Sequence, residues 1–127
     1  MTAARLKKLS EALRKFALAM PGAYEEFPWG ERVAKVNKKV FIFMTRSPDP
    51  KTGFTFSVKL PHTGKSALAY PFTEPCGYGL GKSGWVMARV SPADDTPAEL
   101  LMEWIEESYR AIAPKKLVAE LDSVFPN

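Results

Sequence analysis

The sequence predicts an α+β fold in which helices pack on one face of an antiparallel sheet. Apolar residues recur at helical spacing near both ends of the chain, whereas the middle of the chain has the patterning of strands. The segments between these strands are short, which favours antiparallel pairing. The chain of 127 residues suits one domain with its own core, so we expect a single domain over residues 1–127.

An apolar stripe predicts the first helix. Its members are Leu6, Leu9, Leu13, Phe16 and Met20, spaced three or four residues apart. Pro21 and Gly22 end this helix. Residues 21–32 contain two prolines and two glycines, and we expect them to form a loop.

Three strands are predicted next, over residues 33–36, 39–45 and 54–60. Asn37 and Lys38 separate the first two, and a tight hairpin is expected because Asn tolerates positive φ. In the second strand, Val40, Ile42 and Met44 should face one side and Phe41 and Phe43 the other. This strand would then be covered on both faces, whereas the third alternates between one buried and one wet side.

The second half is predicted to hold a short helix, one or two strands and two helices. The short helix covers residues 61–70, residues 71–84 are irregular, and residues 85–90 form a strand. Thr96, Pro97 and Glu99 have the pattern of an N-cap, a first helical position and a capping box. A final helix follows Pro114.

Composition excludes several classes of protein. No run of about 18 apolar residues exists, so we expect no membrane span, and the basic N-terminal stretch lacks the apolar region of a secretory signal. Cys76 is the only cysteine, so an internal disulfide is impossible and we expect a reduced, cytoplasmic location.

Charge is distributed unevenly along the chain. Residues 1–65 have 13 basic and 5 acidic side chains, a net charge of +8; residues 66–127 have 5 basic and 9 acidic, a net charge of −4, and the two halves sum to +4. The candidate nucleic-acid-binding residues are Arg32, Lys35, Lys38, Lys39, Arg46, Lys51, Lys59 and Lys82. Lysines on a hairpin can follow a phosphate backbone as a wing, but they also protect exposed strands from aggregation.

Motifs with catalytic or ligand-binding chemistry are weak. Residues 79–84 match GxGxxG but lead into a predicted strand, whereas phosphate binding by this motif needs a helix there. The loop could still present Lys82 and mobile backbone amides to phosphate. His62 and Cys76 have no orienting third group, so we expect no catalytic site, no metal and no cofactor.

Four aromatic residues lie in or beside loops rich in glycine and proline. They are Tyr24, Trp29, Tyr78 and Trp85. Such side chains either stack on bases or pack a loop onto the core, and the sequence leaves both open.

Several short segments, in this order, carry a family resemblance. They are Glu26-Phe27-Pro28-Trp29-Gly30, the hairpin around residues 33–41, Val58-Lys59-Leu60-Pro61, Gly84-Trp85-Val86, and Ile105-Glu106-Glu107-Ser108-Tyr109. Together they resemble the MmcQ/YjbR family of small bacterial proteins. The resemblance implies an α-β(3)-α-β(2)-α two-layer fold, similar to CyaY and to secretion chaperones, and a proposed DNA-binding role through a double wing. It implies no catalytic site.

Two functions follow as expectations. The first is a non-enzymatic DNA-binding protein that contacts the phosphate backbone through a basic hairpin surface. In family members Lys35 and Lys59 also tend to be lysine, whereas Asn37-Lys38 replaces a glycine-rich turn. The alternative is a protein-interaction module or homodimer resembling a secretion chaperone, with an apolar patch at Phe41 and Phe43 and no nucleic-acid role.

Overall fold

The computed structural model describes residues 2–77, 79–93 and 96–124, with only the backbone of Trp29 and Val124 described. Over these residues the predicted α+β class is confirmed. The elements are α1 (Ala3–Leu18), β1 (Tyr24–Glu26), β2 (Arg32–Val36), β3 (Lys39–Met44), β4 (Phe54–Lys59), α2 (Gly64–Ala67), β5 (Thr73–Pro75), β6 (Trp85–Val90), α3 (Ala98–Ile112) and α4 (Lys115–Val124). Two 3₁₀ turns cover Pro28–Gly30 and Leu80–Ser83.

The strands form an antiparallel sheet with the order β1-β2-β3-β4-β6-β5. Helix α3 packs on β3 and β4, and α1 packs beside α3. The core between the helices and the sheet includes Leu13, Phe56, Val86, Ile105 and Tyr109. Alternate residues of β4 and β6 point to the other face, which the helices leave uncovered.

The predicted tight hairpin between β2 and β3 is present. Asn37 and Lys38 have φ values of 51° and 67°, the left-handed conformation that a two-residue type I′ turn requires at both positions. Glycine is favoured at such positions because it has no side chain. This backbone conformation is therefore less favourable for Lys38 than it would be for glycine.

A β-bulge changes the predicted facing of β3. Ala34 pairs with Ile42, but Lys35 pairs with Val40, so Phe41 is an extra residue on β3. Phe41 is fully buried against the ring of Tyr109 in α3, on the same side as Ile42. The prediction that Phe41 and Phe43 face the same side of the sheet is therefore wrong. The bulge turns Phe41 to the helical side, whereas Phe43 faces the other side.

Two segments expected to be irregular contain edge strands. Residues 24–26 form β1 against β2, and residues 73–75 form β5 against β6. Each has three residues and exposed or half-buried side chains, so no alternation of apolar residues marked it in the sequence.

The predicted capping box of α3 is wrong. Pro97 is the N-cap residue, and the buried Thr96 hydroxyl lies one residue too early to reach the first helical amides; it has no hydrogen-bond partner among the described residues. Glu99 still lies in the first turn, where its charge favours the positive end of the helix dipole.

Candidate nucleic-acid interface

Strand direction divides the eight candidate basic residues between two ends of the sheet. The β2–β3 turn, the last residue of β4 and the start of β6 lie at one end. Four lysines lie there, and we call them the lysine edge: Lys38, Lys39, Lys59 and Lys82. Because β3, β4 and β6 are neighbouring strands about 4.8 Å apart, the ends that carry this edge span only about 10 Å.

The lysine edge has no salt bridge to any acidic side chain that the structure describes. Lys38, Lys39 and Lys82 are exposed, and Lys59 is half-buried. Their charges are therefore available to a polyanion that approaches this end of the sheet.

The opposite end of the sheet carries Arg46 and Lys51, in the loop between β3 and β4. The Arg46 guanidinium lies over the Phe27 ring, 4.7 Å from its centroid. In the same loop Asp49 accepts hydrogen bonds from the amides of Lys51 and Thr52, which lower the pKa of its carboxyl. The basic residues at this end are thus a second group, about one strand length from the lysine edge.

Arg32 is bound by Glu25 of β1. Glu25 accepts from Arg14 Nε at 2.7 Å and from Arg32 Nη1 at 3.2 Å. The hydrogen bond from Arg14 is the main reason that the pKa of Glu25 is lowered. Arg32 also donates to the carbonyl of Arg46, so its charge is already engaged.

Lys35 is likewise bound, because its Nζ lies 2.6 Å from Glu26 Oε1. This hydrogen bond raises the pKa of Lys35. Of the eight candidates, six therefore remain without an acidic partner within the described residues: Lys38, Lys39, Arg46, Lys51, Lys59 and Lys82.

A groove of about 530 Å³ crosses the face of the sheet opposite the helices. Phe43, Ser57 and Met87 form one row of its floor, since Ser57 pairs with both of the others. Leu80 and Arg46 line its rim. We call this the sheet groove. The sequence suggested Phe43 as exposed but not the groove, because Met87 joins the row of Phe43 only through the pairing of β3 and β6 with β4.

A larger groove, of about 750 Å³, lies between α2 and α3. Its Glu107 accepts hydrogen bonds from the amides of His62 and Thr63 and from the Thr63 hydroxyl. Trp104, also in its wall, packs against Tyr70 and Phe72. These contacts hold the segment after β4 against α3. The polar and aromatic groups of this groove therefore have a structural role.

The glycine-rich loop forms the 3₁₀ turn Leu80–Ser83, with φ of 79° at Gly79 and 88° at Gly84. Strand β6 follows it, as predicted, and not the helix that phosphate binding by a GxGxxG motif needs. Lys82 lies in this turn two residues before Gly84, whose carbonyl accepts a hydrogen bond from the Leu60 amide just after β4.

Other chemistry finds little support in the described part of the chain. No group of three His, Cys, Asp or Glu residues there is arranged to hold a metal ion. Burial raises the pKa of the Cys76 thiol, which disfavours the reactive thiolate. Among the described residues, no helix has the length and apolar character needed to cross a bilayer.

The aromatic residues that could either stack on bases or pack on the core differ in their burial. Trp85 is buried and packs edge-on against Phe43, with ring centroids 5.5 Å apart, whereas Tyr24 is exposed on β1. Tyr78 and the side chain of Trp29 lie outside the described residues. Base stacking by Trp85 itself is thus disfavoured, since its ring supports Phe43 instead.

Comparison with known proteins gives the family. The YjbR family profile matches residues 18–111, which is most of the chain. The chain belongs to the YjbR family. No curated protein matches it significantly.

Solved structures share this fold. A crystal structure of a Deinococcus radiodurans protein with a DUF419 domain is similar with a TM-score of 0.66 and 29% identity, over 84% of this chain and 79% of that one. A Pseudomonas syringae protein is similar with a TM-score of 0.60 and 19% identity, over 80% of this chain and 96% of that one. The second likeness shows the fold alone. The expected MmcQ/YjbR membership is confirmed.

Proposed function

We propose that this YjbR protein is a non-enzymatic DNA-binding protein and that the lysine edge contacts the phosphate backbone. One observation carries the proposal: four lysines gather at one end of the sheet without an acidic partner among the described residues. Two of them, Lys38 and Lys39, form the end of the β2–β3 hairpin, in the position of a wing.

The alternative role for these lysines, protection of an exposed strand edge, agrees less well with their positions. Protection of an exposed strand edge requires charges on edge strands, but β3, β4 and β6 are internal strands of the sheet. Arg32 and Lys35 of β2, by contrast, already have acidic partners on β1.

The number of unpaired lysines sets the expected salt dependence. Each phosphate that a protein neutralises on duplex DNA contributes about −0.9 to the slope of log affinity against log salt, so four contacts give about −3.6. If Arg46 and Lys51 also reach the backbone, the slope becomes about −5.4.

The test is DNA binding by the double variant Lys39→Glu/Lys59→Glu, measured by fluorescence anisotropy across a salt series. The matched control is Lys8→Glu/Lys15→Glu, which makes the same change of net charge on exposed residues of α1. We expect the first pair to weaken binding at least about tenfold at low salt and to lower the slope by about 1.8, and the control to change it far less.

Equal losses in both double variants would overturn the proposal, since net charge rather than the lysine edge would then govern binding. An absence of binding by the wild type at low salt would overturn it as well. Circular dichroism of each variant distinguishes lost binding from lost folding.

The sheet groove favours a second candidate, a protein-interaction module or homodimer. Phe43, Met87 and Leu80 leave apolar surface uncovered on the face opposite the helices. Light scattering after size exclusion tests the homodimer, and a monomer at high concentration would exclude it.

A further inference from the structure

We propose that the groove between α2 and α3 docks a basic amphipathic helix of a partner protein. This inference goes beyond the proposed DNA binding, because it uses none of the lysines of the lysine edge. The groove, of about 750 Å³, is lined both by apolar side chains and by carboxylates. We call it the α2–α3 groove.

The helical layer is thin on this side of the sheet. Ala17 of α1 lines a small gap together with Ala34 of β2 and Ile42 of β3, so α1 lies over those strands. Helix α3 packs on β3 and β4, and beyond it the helix that packs on β6 is α2, of four residues. The α2–α3 groove therefore runs beside α3 on the side away from α1, where the layer has room for another helix.

The groove follows α3 for about three helical turns. Leu100 and Ala111 both line it, with Trp104 and Glu107 between them. At a rise of 1.5 Å per residue, the distance from residue 100 to residue 111 is about 16 Å. Interfaces in which a helix lies in a groove use side chains at positions i, i+3, i+4 and i+7, which a helix of this length supplies.

The apolar surface of the groove is already ordered. Tyr70 is 41% exposed, and Leu100 is half-buried. The ring of Tyr70 packs against Phe72 and Trp104, with ring centroids 5.2 Å and 5.7 Å away. A surface that is held in place loses little conformational entropy on binding, so apolar side chains of a docked helix gain from contact with it.

The charge of the lining favours a basic partner. Glu103, Glu106 and Glu107 line the groove together with one guanidinium, that of Arg110, a formal net charge of −2 with His62 counted as neutral. Glu106 is paired with Arg110, and Glu107 accepts hydrogen bonds from the segment after β4. Glu103 is exposed and forms no salt bridge with a described residue, so its charge is available to a ligand.

A row of like charges along α3 supports the same choice. Glu99, Glu103 and Glu107 follow one another at intervals of four residues, which places them on one side of the helix, and like charges at this spacing destabilise a helix. Glu99 is also exposed and without a salt bridge to a described residue, and Lys65 of α2 does not line the groove. Lysines or arginines on a docked helix would relieve this repulsion as well as form new ion pairs.

The basic helix of a second copy suits the groove less well. Helix α1 has exposed lysines, but its apolar side chains Leu6, Leu13 and Ala17 are buried within the domain. A folded second copy therefore has only the charged side of α1 to offer, and the apolar surface at Tyr70 and Leu100 would stay uncovered. The occupant that satisfies both the apolar and the acidic parts is an amphipathic helix of another protein.

The test measures binding of three synthetic peptides, each about 14 residues long and labelled with fluorescein, by fluorescence anisotropy. The first consists of leucine and lysine, with the leucines at helical spacing. The second has the same composition in an order that gives no apolar stripe, and the third has glutamate in place of each lysine of the first. The variant is Glu99→Lys/Glu103→Lys. The matched control is Glu31→Lys/Glu74→Lys, the same change of charge at exposed residues that line the sheet groove.

We expect the wild type to bind the first peptide at least about tenfold more tightly than the second, since burial of several leucines contributes at least on that scale. The acidic peptide should not bind. Glu99→Lys/Glu103→Lys should weaken binding of the first peptide at least about fivefold, because two attractive contacts become repulsive. The control should retain the wild-type affinity within about twofold. Circular dichroism of each variant verifies that it is folded.

Several outcomes would overturn the inference. Equal binding of the two basic peptides, or equal losses in both double variants, would show that charge alone holds the peptide. A loss confined to the control would place the peptide in the sheet groove. A dimer in light scattering that Glu99→Lys/Glu103→Lys dissociates would identify a second copy as the occupant. An absence of binding by all three peptides would overturn the inference but not the proposed DNA binding, whose test uses Lys39 and Lys59.

Discussion

The Ser108→Ala substitution tests how the end of the sheet that carries Lys59 is held. Ser108 is fully buried on α3, and its Oγ accepts a hydrogen bond from the Lys59 amide at 2.9 Å. The same hydroxyl donates to the Phe41 carbonyl. Pairing between β3 and β4 runs from Met44 to Ile42 and stops before Phe41. The hydroxyl therefore replaces the next bond of the ladder.

Removing the hydroxyl leaves two backbone groups without their partner. An unsatisfied buried group costs about 1–3 kcal/mol, and the Lys59 amide lies in the less buried position, where water can reach it in part. Alanine is also a better helix former than serine by about 0.5 kcal/mol. The net expected loss of unfolding free energy is about 2–3 kcal/mol, equivalent to a melting temperature about 6–12 °C lower.

Urea denaturation of Ser108→Ala is compared with that of Ser123→Ala, an exposed helical serine whose hydroxyl bonds the Glu120 carbonyl. The control includes the change of helix propensity but breaks no bond between helix and sheet. A difference below about 1 kcal/mol between the variants would refute the reasoning, because β3 and β4 would then close the gap by themselves.

Two further predictions concern charge and backbone geometry. Since Arg14 lowers the pKa of Glu25, whose side chain is 14% exposed, Glu25→Gln should cost about 1–3 kcal/mol at pH 7. This cost should shrink in urea titrations as pH falls below about 4.5; a constant cost would contradict it. Gly53→Ala should cost about 3 kcal/mol, since φ is +86° and a Cβ would lie 1.8 Å from the Val90 carbonyl. Gly30→Ala, at +82° with open space, controls for φ, and equal losses in thermal melts would exclude the clash.

Local pattern was sufficient to predict most of the architecture. The apolar stripe of α1 buries Leu6 and Leu13, and the alternation in β4 buries Phe54, Phe56 and Val58. Each of these patterns depends only on residues that are close together in the sequence, so it can be recognised without the structure. The Asn37-Lys38 turn was predictable for the same reason.

The features that sequence pattern missed depend on contacts between distant segments. The bulge at Phe41 arises from the register of β2 against β3, and its carbonyl is satisfied by Ser108, 67 residues away. Likewise, nothing near Phe43 indicates that Met87 will stand across Ser57 from it. Long-range pairing thus determines the candidate site even where its individual residues could be chosen from the sequence.

Which charges remain free also depends on contacts between distant segments of the chain. The C-terminal half is acidic, yet no salt bridge between described residues joins its helices to the lysine edge. Three of its helical carboxylates have other partners. Glu106 and Asp122 bind Arg110, and Glu107 accepts hydrogen bonds from the segment that follows β4.

On β1, by contrast, Glu25 and Glu26 engage Arg32 and Lys35, which removes two of the eight candidate cations from the site. The net charge of +4 is therefore a poor measure of what a polyanion would meet. The four lysines of the lysine edge have no salt bridge among the described residues, so a polyanion would meet their charges there in full.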